Sequence, residues 1–343
     1  MKTLYVKGKT SISKIHVGEK LTNVHNYLPH EKTIIITDDN IKKYYLSRFP
    51  ECPVITIAMG EENKTLDTCK NIYQELIRLE ADRETFILGI GGGIVCDITG
   101  FVASTYMRGL KFGFVSTSLL SQVDASVGGK NGVNFDSYKN MVGLFCQPEF
   151  VICDISLLST LPGKEISNGF AEIIKHALIT DSEMFSFLEK NYQAALNLEP
   201  EIILNLVTKS VRIKANIVQK DEKEAGERQR LNFGHTIGHA IEKITNPGHG
   251  RAVSMGMVAA SFFSRERGFL TSGNCRKISN LLSKFNLPVD YDIDPFLIAD
   301  NIRKDKKRKG DKIHFVFLTN IGTSVIRTIT LSELENFIKY YLS

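Results

Sequence analysis

A carboxylate and three imidazoles in the second half of the chain have the residue types and spacing of a divalent-metal site. Glu172 lies in an apolar helical segment, and His235 and His239 are four residues apart, which places them on one face of a helix. His249 follows Pro247-Gly248. A carboxylate with imidazoles from separate elements is a common ligand set for a catalytic metal. Spacing alone leaves open whether His239 is a ligand or a substrate contact.

A glycine-rich run in the first half of the chain is suited to binding a pyrophosphate. The run Gly89–Asp97, GIGGGIVCD, follows a strand-like segment and opens a helix-like one. Glycines at such a turn let the backbone approach a phosphate, and the helix N-terminus supplies N–H donors and a favourable dipole. The pattern differs from the G-x-G-x-x-G of most dinucleotide-binding domains. A tight turn without a ligand would use the same glycines.

An acidic and a basic residue close together indicate a site for an oxyanion. Asp124 and Lys130 lie in a segment of small and apolar residues that contains Gly128-Gly129, and Tyr138-Lys139-Asn140 follows it. A glycine-supported lysine beside small, apolar neighbours is suited to binding an anion. The alternative is a lysine in a solvated loop.

The densest positive charge lies in the run Arg303–Lys312, RKDKKRKGDK. A solvated loop accounts for many such runs. One or two of its lysines could instead close over a substrate phosphate. A nucleic-acid surface would need interleaved aromatic residues or a wider basic face, and the run has neither.

The composition limits the class of protein. The 343 residues, 43% hydrophobic and 24% charged, have room for two globular domains. No apolar run reaches the length needed to span a bilayer, and residues 1–7 lack the apolar core of a secretory signal. The six cysteines form no C-x-x-C pair, which indicates reduced thiols. We therefore expect a cytoplasmic protein, whose net charge of +5 suits an anionic small molecule without requiring nucleic acid or a membrane.

Strand-like and helix-like segments alternate through the first half of the chain. This alternation predicts a parallel sheet with helices on both sides, and the apolar strands are typical of strands buried on both faces. Helices such as Leu66–Leu79 and Ile94–Met107 lie between the strands. The predicted strands are Thr33–Thr37, Val54–Ile57, Thr85–Leu88, Phe112–Ser116 and Val151–Cys153.

Long amphipathic segments dominate after Leu161-Pro162, which predicts a second, mostly helical domain. A late apolar stretch, Ile313–Thr319 with Ser324–Ile329, predicts a small hairpin. The predicted helices are Lys164–Ile179, Ser182–Lys190, Glu201–Lys220, His235–Ile244, Ala252–Arg267 and Cys275–Phe285.

Together these motifs closely resemble those of the 3-dehydroquinate synthase family, within the sugar phosphate cyclases. The resemblance implies a Rossmann-like, NAD-binding α/β domain in residues 1–160 and a helical metal- and substrate-binding domain in residues 161–343. It extends from about residue 34 to about residue 320, and its blocks keep the family's order. The blocks are Gly91–Gly100, Tyr106–Gly109, Ser121–Lys130, Lys139–Gly143, Leu161-Pro162, Gly169–Lys175, Asp221–Gly226, Leu231–Glu242, His249-Gly250 and Asp305–Lys307.

The resemblance implies a set of NAD⁺ contacts in the first half of the chain. Those at the pyrophosphate are Gly91, Gly92, Gly93, Ile94 and Asp97. Those on the adenosine side are Asp38, Asn40, Glu61 and Lys64. The further nucleotide contacts are Thr117, Ser118, Thr160 and Leu161, with Lys139 and Lys130 towards the reactive end.

The resemblance also implies the metal ligands and the substrate contacts. The ligands would be Glu172, His235 and His249, which assigns His239 to the phosphate side. The other phosphate-side residues would be Lys130, Asn140, Asn232 and one of Lys306 or Lys307. The carboxylate end would lie against Arg228 and Lys214, and the reacting carbons against Asp124, Lys175 and Glu224. Arg108 matches an arginine that the family contributes across a homodimer interface.

The activity implied by the resemblance is conversion of 3-deoxy-D-arabino-heptulosonate 7-phosphate to 3-dehydroquinate and phosphate. The cofactors would be NAD⁺ and one Zn²⁺ or Co²⁺. Transient oxidation precedes phosphate elimination, and reduction precedes an intramolecular aldol closure, so NAD⁺ is regenerated. Two alternatives remain at this point. One is another sugar phosphate cyclase, of the 2-deoxy-scyllo-inosose or epi-valiolone type, and the other is an oxidoreductase similar to glycerol dehydrogenase.

Four residues depart from the family's usual pattern. Met59 stands where an acidic residue is usual, Ser118 replaces the second threonine of a pair, and Cys96 replaces a small residue. Arg251 stands where an acidic residue usually follows His249-Gly250. A positive charge there bears most on the site, because residues next to a ligand tune the metal.

Overall fold

The computed structural model describes every residue except 9–10, 30–31, 137, 291, 304–309 and 342–343. The predictions for Lys306 and Lys307 therefore lie outside the described residues. The chain forms two compact units. The first consists of Met1–Pro162 and Ile203–Lys223, and the second of Gly163–Ile202 and Glu224–Ser343. The predicted division of binding functions at residue 160 stays a prediction.

Strands and helices are numbered in chain order. The strands are β1 (Lys2–Lys7), β2 (Ile12–Val17), β3 (Thr33–Asp38), β4 (Val54–Ile57), β5 (Phe86–Gly91), β6 (Phe112–Ser116), β7 (Lys130–Phe135), β8 (Tyr138–Phe145), β9 (Phe150–Cys153), β10 (Lys312–Asn320) and β11 (Thr323–Thr330). The helices are α1 (Asp39–Tyr45), α2 (Leu66–Arg78), α3 (Gly93–Thr105), α4 (Gly163–Thr180), α5 (Ser182–Leu196), α6 (Pro200–Lys220), α7 (His235–Thr245), α8 (His249–Glu266), α9 (Ser272–Lys284), α10 (Pro295–Arg303) and α11 (Leu331–Tyr341).

The first unit is built on a seven-stranded sheet of order β1-β2-β9-β6-β5-β3-β4. All neighbouring pairs are parallel except β1 and β2, which form an antiparallel edge. Strands β5, β6 and β9 are buried along their whole length, as apolar strands covered on both faces should be. The predicted α/β class with a parallel sheet is confirmed.

Helices cover both faces of this sheet. Leu88 and Ile90 of β5 pack in a core cluster with Tyr45 of α1. Adjacent strand residues point to opposite faces, so Gly89 faces the other side. There a side chain on Gly89 would lie 2.9 Å from the hydroxyl of Thr99 in α3. This glycine lets α3 lie close against the sheet, directly after the glycine-rich turn.

Two antiparallel hairpins of the first unit were missed by the sequence analysis. One is the edge pair β1–β2, and the other is the separate hairpin β7–β8. Hairpin β7–β8 includes Lys130, Lys139 and Asn140, for which the sequence analysis predicted no strand. Its glycines Gly132 and Gly143 face each other, and their approach has no room for side chains, since a Cβ on Gly143 would lie 2.5 Å from the Asn131 carbonyl oxygen.

The second unit is mostly helical, as predicted. Phe263 of α8 packs against Phe315 and Phe317 of hairpin β10–β11, with ring centroids 5.3 Å and 5.1 Å away. Phe337 of α11 stacks on Phe263 at 4.3 Å. The antiparallel pairing of β10 with β11 confirms the predicted late hairpin. Three helix boundaries differ from the prediction by three residues or more. Helix α8 begins at His249 and not at Ala252, α9 begins at Ser272 and not at Cys275, and α5 ends at Leu196 and not at Lys190.

Helices α7 and α8 approach each other through glycine backbones. A Cβ on Gly256 would lie 2.0 Å from the Gly234 carbonyl oxygen and 2.7 Å from the Gly238 nitrogen. A Cβ on Gly238 would lie 2.9 Å from the Ala252 carbonyl oxygen. The two helices can therefore come this close only because these positions lack side chains. This close approach fixes the position of His235, the first residue of α7, relative to His249, the first residue of α8.

Among the described residues, none of the helices combines the length and apolarity required to cross a bilayer.

The helix contact predicts that Gly256→Ala destabilises the protein by about 1–3 kcal/mol, because the methyl group forces α7 and α8 apart. Chemical denaturation measures the change in the free energy of unfolding. Gly273→Ala is the matched control, since its Cβ would have only the Thr271 hydroxyl within 4 Å, at 3.8 Å. The control should leave stability unchanged or raise it. Equal stability of Gly256→Ala and the wild type would contradict this account of the contact.

Candidate functional site

The second unit contains a completely buried carboxylate. Glu172 lies in the middle of α4, and its side chain has no exposed surface. Lys175, one turn later on the same helix, forms an ion pair with it and is 2% exposed. A buried charge costs several kcal/mol unless other charges compensate for it. Glu172 is therefore held in a position where further positive charge is favourable.

Two imidazoles from different helices meet this carboxylate. The Nε2 atom of His235, at the start of α7, lies 3.6 Å from Oε1 of Glu172. The Nε2 atom of His249, at the start of α8, lies 3.5 Å from the same oxygen. One ligand atom from each of the three residues fits within 4.8 Å of the other two. The structure thus brings together the three residues predicted as metal ligands.

The spacing of these atoms fits a divalent metal. Ligand atoms around a tetrahedral zinc ion lie about 3.3 Å apart. The measured separations of 3.5 Å and 3.6 Å are close to that value. The His249 side chain is 31% exposed, so one side of the cluster is accessible to a substrate oxygen. Two imidazoles and one carboxylate suit Zn²⁺ or Co²⁺.

A second group of possible ligands overlaps the first. His239, Glu242 and His249 also offer atoms within 4.8 Å of one another. The Nδ1 atom of His249 lies 3.8 Å from Oε2 of Glu242. Burial lowers the pKa of His249, but the carboxylates of Glu172 and Glu242 outweigh it and raise the pKa to about 9. His249 thus lies in a strongly negative environment, which favours a cation.

Glu242 belongs to this second group but was not among the residues predicted for the site. It is nearly buried, with 5% of its side chain exposed, and follows His235 by seven positions and His239 by three. Residues three, four and seven apart share a helix face, so the spacing alone could have indicated it.

Polar residues before α7 form a further part of this unit. Asn232 donates a hydrogen bond of 2.5 Å to the Glu224 carboxylate, and Glu224 has a left-handed backbone with φ of 61°. Arg228 is 1% exposed. Arg251, the departure beside His249, is half-buried and lines a cavity of about 300 Å³ together with Lys164 and Asn286.

In the first unit, the glycine-rich turn joins β5 to α3. Gly92 is the N-cap residue of α3, and as a glycine it has no side chain to accept from the first N–H groups of the helix. Gly91 lies so close to Val95 that a Cβ would be 2.4 Å from the valine side chain. Thr117 follows β6, and its N–H donates to the Gly91 carbonyl oxygen. Backbone donors at a helix N-terminus are suited to binding a pyrophosphate.

A buried lysine connects several predicted site residues beside this turn. Lys64, 4% exposed, donates to the Asp97 carboxylate and, at 2.5 Å, to the side-chain oxygen of Asn140. Burial raises the pKa of Asp97, although the Lys64 ammonium opposes the rise. Asn140 has φ of 50°, and its N–H donates to Asn134 at 2.8 Å. Asn134, which the sequence analysis missed, also donates to Glu61 at 2.9 Å.

Asp124 pairs with a lysine from a distant helix of the same unit. Lys214 of α6 is 6% exposed and donates to the Asp124 carboxylate at 2.5 Å and to its carbonyl oxygen at 2.6 Å. Asp124 lies in the turn Ser121–Ala125, which has π-helical hydrogen bonding. Two residues predicted to contact substrate are thus neighbours, although 90 positions separate them.

The predicted adenosine-side residues lie at the ends of strands. Asp38 ends β3, and its carboxylate caps α1 by accepting from the Ile41 N–H at 2.9 Å. Burial raises the pKa of Asp38. Asn40 contacts the sulfur of Met59, one of the four residues expected to depart from the family pattern, at 3.0 Å.

The remaining predicted residues lie in several elements of the first unit, and Ser118 is near the glycine-rich turn, since its Oγ would lie 3.4 Å from a Cβ on Gly92. Thr160 pairs with the Tyr45 hydroxyl at 2.7 Å, and the Leu161 N–H donates to Leu158. Ser118 contacts Ser121, and Ile94 lies in the first turn of α3. The exposed residues of the set are Arg108, Lys130 and Lys139.

Comparisons with known proteins agree with this arrangement. The domain family described as 3-dehydroquinate synthase N-terminal matches residues 54–168, and the family described as 3-dehydroquinate synthase C-terminal matches residues 169–308. A 3-dehydroquinate synthase of Acetivibrio thermocellus is 41% identical over 83% of the chain and 82% of its own length. One of Campylobacter concisus is 40% identical over 96% of both chains.

A solved structure is similar over nearly the whole chain. It is a 2-deoxy-scyllo-inosose synthase complexed with carbaglucose-6-phosphate, NAD⁺ and Co²⁺, and it is 26% identical. The TM-score is 0.87, with 98% of this chain and 99% of the other covered. The likeness extends through both compact units.

The cluster predicts that His235→Ala loses its bound metal, because two remaining ligands hold a divalent ion poorly. Elemental analysis of the purified, dialysed protein measures the metal content. His239→Ala is the matched control on the same helix face and should keep the metal while catalysis weakens. Full metal content and near-normal turnover in His235→Ala would show that the ligand set is wrong.

Proposed function

We infer the activity of this chain from its family, because the chain belongs to the 3-dehydroquinate synthase family. The enzyme converts 3-deoxy-D-arabino-heptulosonate 7-phosphate to 3-dehydroquinate and phosphate. It is therefore a carbon–oxygen lyase acting on a phosphate, in the shikimate pathway that leads to chorismate and the aromatic amino acids. The observation that carries this conclusion is the approach of Glu172, His235 and His249 within 4.8 Å, in a chain that matches both domains of the family.

The cofactors are NAD⁺ and one divalent metal. When bound, NAD⁺ accepts a hydride and returns it, and the metal lowers the pKa of the substrate hydroxyl that is oxidised. Glu172, His235 and His249 hold the metal in this proposal. The turn Gly91–Gly93 holds the pyrophosphate. Asp97, whose carboxylate Lys64 neutralises, lies one turn further along α3.

The substrate carries a carboxylate and a phosphate, and buried cations are suited to both. Arg228 and Lys214, 1% and 6% exposed, are assigned to the carboxylate end and the nearby hydroxyls. An anionic substrate group is suited to these buried cations, of which Lys214 also pairs with the Asp124 carboxylate. Lys130, Asn140, Asn232 and His239 are assigned to the phosphate. Lys306 or Lys307 is assigned there as well.

Three polar residues are assigned to the reacting carbons, namely Asp124, Lys175 and Glu224. Their partners in the protein support this assignment, since Lys214 orients Asp124 and Asn232 orients Glu224. Lys175 is ion-paired with the metal-binding carboxylate of Glu172, which fixes the ammonium beside the metal site. Oriented charges of this kind stabilise a transition state without having to reorganise during the reaction.

The two alternatives remain distinguishable by their products. Another sugar phosphate cyclase would use the same cofactors on a substrate without the carboxylate. The 26% identity to a 2-deoxy-scyllo-inosose synthase is well below the 40% and 41% identity to 3-dehydroquinate synthases, which favours the acidic substrate. A glycerol-dehydrogenase-like enzyme would accumulate NADH, because it has no step that returns the hydride.

The proposed activity predicts that the purified enzyme, with NAD⁺ and Zn²⁺ or Co²⁺, releases phosphate from the heptulosonate phosphate without net formation of NADH. A phosphate assay and NADH absorbance, followed on the same sample, measure the two quantities.

Each alternative gives a different result in that assay. Accumulation of NADH in proportion to product would indicate a net dehydrogenase. Turnover of glucose 6-phosphate or a heptose phosphate, with none of the heptulosonate phosphate, would indicate another cyclase.

We further propose that the enzyme is a homodimer in which Arg108 of each subunit serves the site of its partner. Met107 and Arg108 have left-handed backbones with φ of 48° and 72°, a conformation that costs about 1–2 kcal/mol per residue. Such strain often marks functional positions. Hairpin β7–β8 also exposes apolar side chains, which favours burial against another protein surface. They are Phe135 (48% exposed), Tyr138 (45%), Met141 (41%) and Phe145 (45%).

The dimer proposal predicts that two inactive variants restore activity when mixed. Arg108→Ala lacks the contributed arginine, and His235→Ala lacks the metal. After exchange of subunits, half of the dimers are mixed, and each has one complete site, so activity should reach about a quarter of the wild-type value. Sedimentation confirms the dimers. No recovery from fully exchanged dimers would contradict the contribution of Arg108 in trans.

A cytoplasmic location also belongs to this proposal. All six cysteines are free thiols, as expected in a reducing compartment. The proposed partners are the acidic sugar phosphate and a second subunit, without nucleic acid or membrane.

A further inference from the structure

His249 lies between two buried carboxylates of the second unit. Its Nε2 atom is 3.5 Å from Glu172, and its Nδ1 atom is 3.8 Å from Glu242. The two carboxylates thus approach different nitrogens of the same imidazole ring. Only Glu172 belongs to the proposed metal ligands, so the presence of Glu242 needs a separate explanation.

We propose that Glu242 is a positioning residue, which holds His249 through Nδ1 so that Nε2 is presented to the metal beside Glu172. This inference rests on the metal site of the proposed function. A neutral imidazole has one N–H and one lone pair. The 3.8 Å between Nδ1 and the Glu242 carboxylate is longer than a hydrogen bond, so the carboxylate has to approach by several tenths of an ångström to accept the Nδ1 proton. A carboxylate that accepts this proton fixes the tautomer whose lone pair lies on Nε2.

The fold holds Glu242 firmly enough for this role. It lies near the end of α7, with 5% of its side chain exposed, and His249 is the first residue of α8. The turn between these helices uses Asn246 and Gly248, both with positive φ, at 45° and 98°. The glycine contact between α7 and α8 then fixes the two helices against each other.

The competing arrangement is a metal held by His239, Glu242 and His249. Both groups of ligands contain His249. If each group held a metal at the same time, both ring nitrogens of His249 would bind metal, and the imidazole would have to lose its second proton. The separations of 3.5 Å and 3.6 Å in the Glu172 group match tetrahedral spacing better than the 3.8 Å between His249 and Glu242. Geometry therefore assigns the metal to Glu172, His235 and His249. Glu242 is then the residue that holds the ligand His249.

The test is the metal affinity of Glu242→Gln, which keeps the side-chain shape and removes the charge. The metal-free enzyme is titrated with Zn²⁺ against a chelating indicator, so the readout does not depend on activity. We expect the dissociation constant to rise about 10- to 100-fold. Glu335→Gln is the matched control, because Glu335 is a buried carboxylate of the same unit, 7% exposed, that pairs with Arg303. The control should bind Zn²⁺ with wild-type affinity.

Two outcomes would overturn the inference. Wild-type affinity in Glu242→Gln would show that the carboxylate does not act on His249. Complete loss of metal, as expected for His235→Ala, would make Glu242 a ligand. Failure of the metal site itself gives a different result, because His235→Ala would then keep its metal.

A second measurement uses the unmodified enzyme, in case Glu242→Gln does not fold. Nitrogen-15 NMR of the zinc-loaded wild type, with labelled histidine, reports which ring nitrogen of His249 carries the proton. Assignment through the backbone resonances of His249 identifies its ring signals without removing a ligand. A proton on Nδ1 is expected, and a proton on Nε2 with metal on Nδ1 would overturn the inference.

Discussion

The second unit depends on the complete burial of one carboxylate. Glu172 has no exposed surface, so its charge must be compensated from within the protein. Lys175 supplies one positive charge from the same helix, and the two imidazoles of His235 and His249 approach the other side. The divalent ion proposed to bind at this cluster would complete the compensation and account for an interior carboxylate here. The same constraint makes α4, α7 and α8 a single arrangement, because each helix contributes a residue to the charge balance.

Glycine backbones make this arrangement sterically feasible. Gly238 and Gly256 let α7 and α8 approach until a single Cβ would clash with a backbone oxygen. In the first unit, Gly89 lets α3 lie against β5, and Gly92 leaves the first N–H groups of α3 without a capping side chain. Both units thus use close backbone packing to present a helix N-terminus, with imidazoles at one and backbone donors at the other.

Buried charges in the first unit also occur as compensated groups. Lys64 binds Asp97 and Asn140, and Lys214 binds Asp124. Lysines paired in this way are held in place at little cost in side-chain entropy when a ligand binds. Such preorganisation is what a synthase needs when its cofactors carry the redox chemistry and the protein mainly positions an anionic substrate. Arg251, the clearest departure from the family, lines a cavity with Lys164 and adds positive charge two residues from His249.

The sequence by itself determined what local patterns encode. Apolar strands predicted the buried parallel sheet, the glycine run predicted the turn before α3, and residue types predicted the metal donors. The sequence could not show whether His235 or His239 is the better candidate for a metal ligand, because residues four positions apart lie on one helix face. Tertiary structure distinguishes their positions, because it places the Nε2 atom of His235 3.6 Å from Glu172 and places His239 in the group with Glu242 and His249. Tertiary structure alone also paired Lys64 with Asn140 and Lys214 with Asp124, across 76 and 90 positions, since such contacts depend on chain folding and leave no periodic signal.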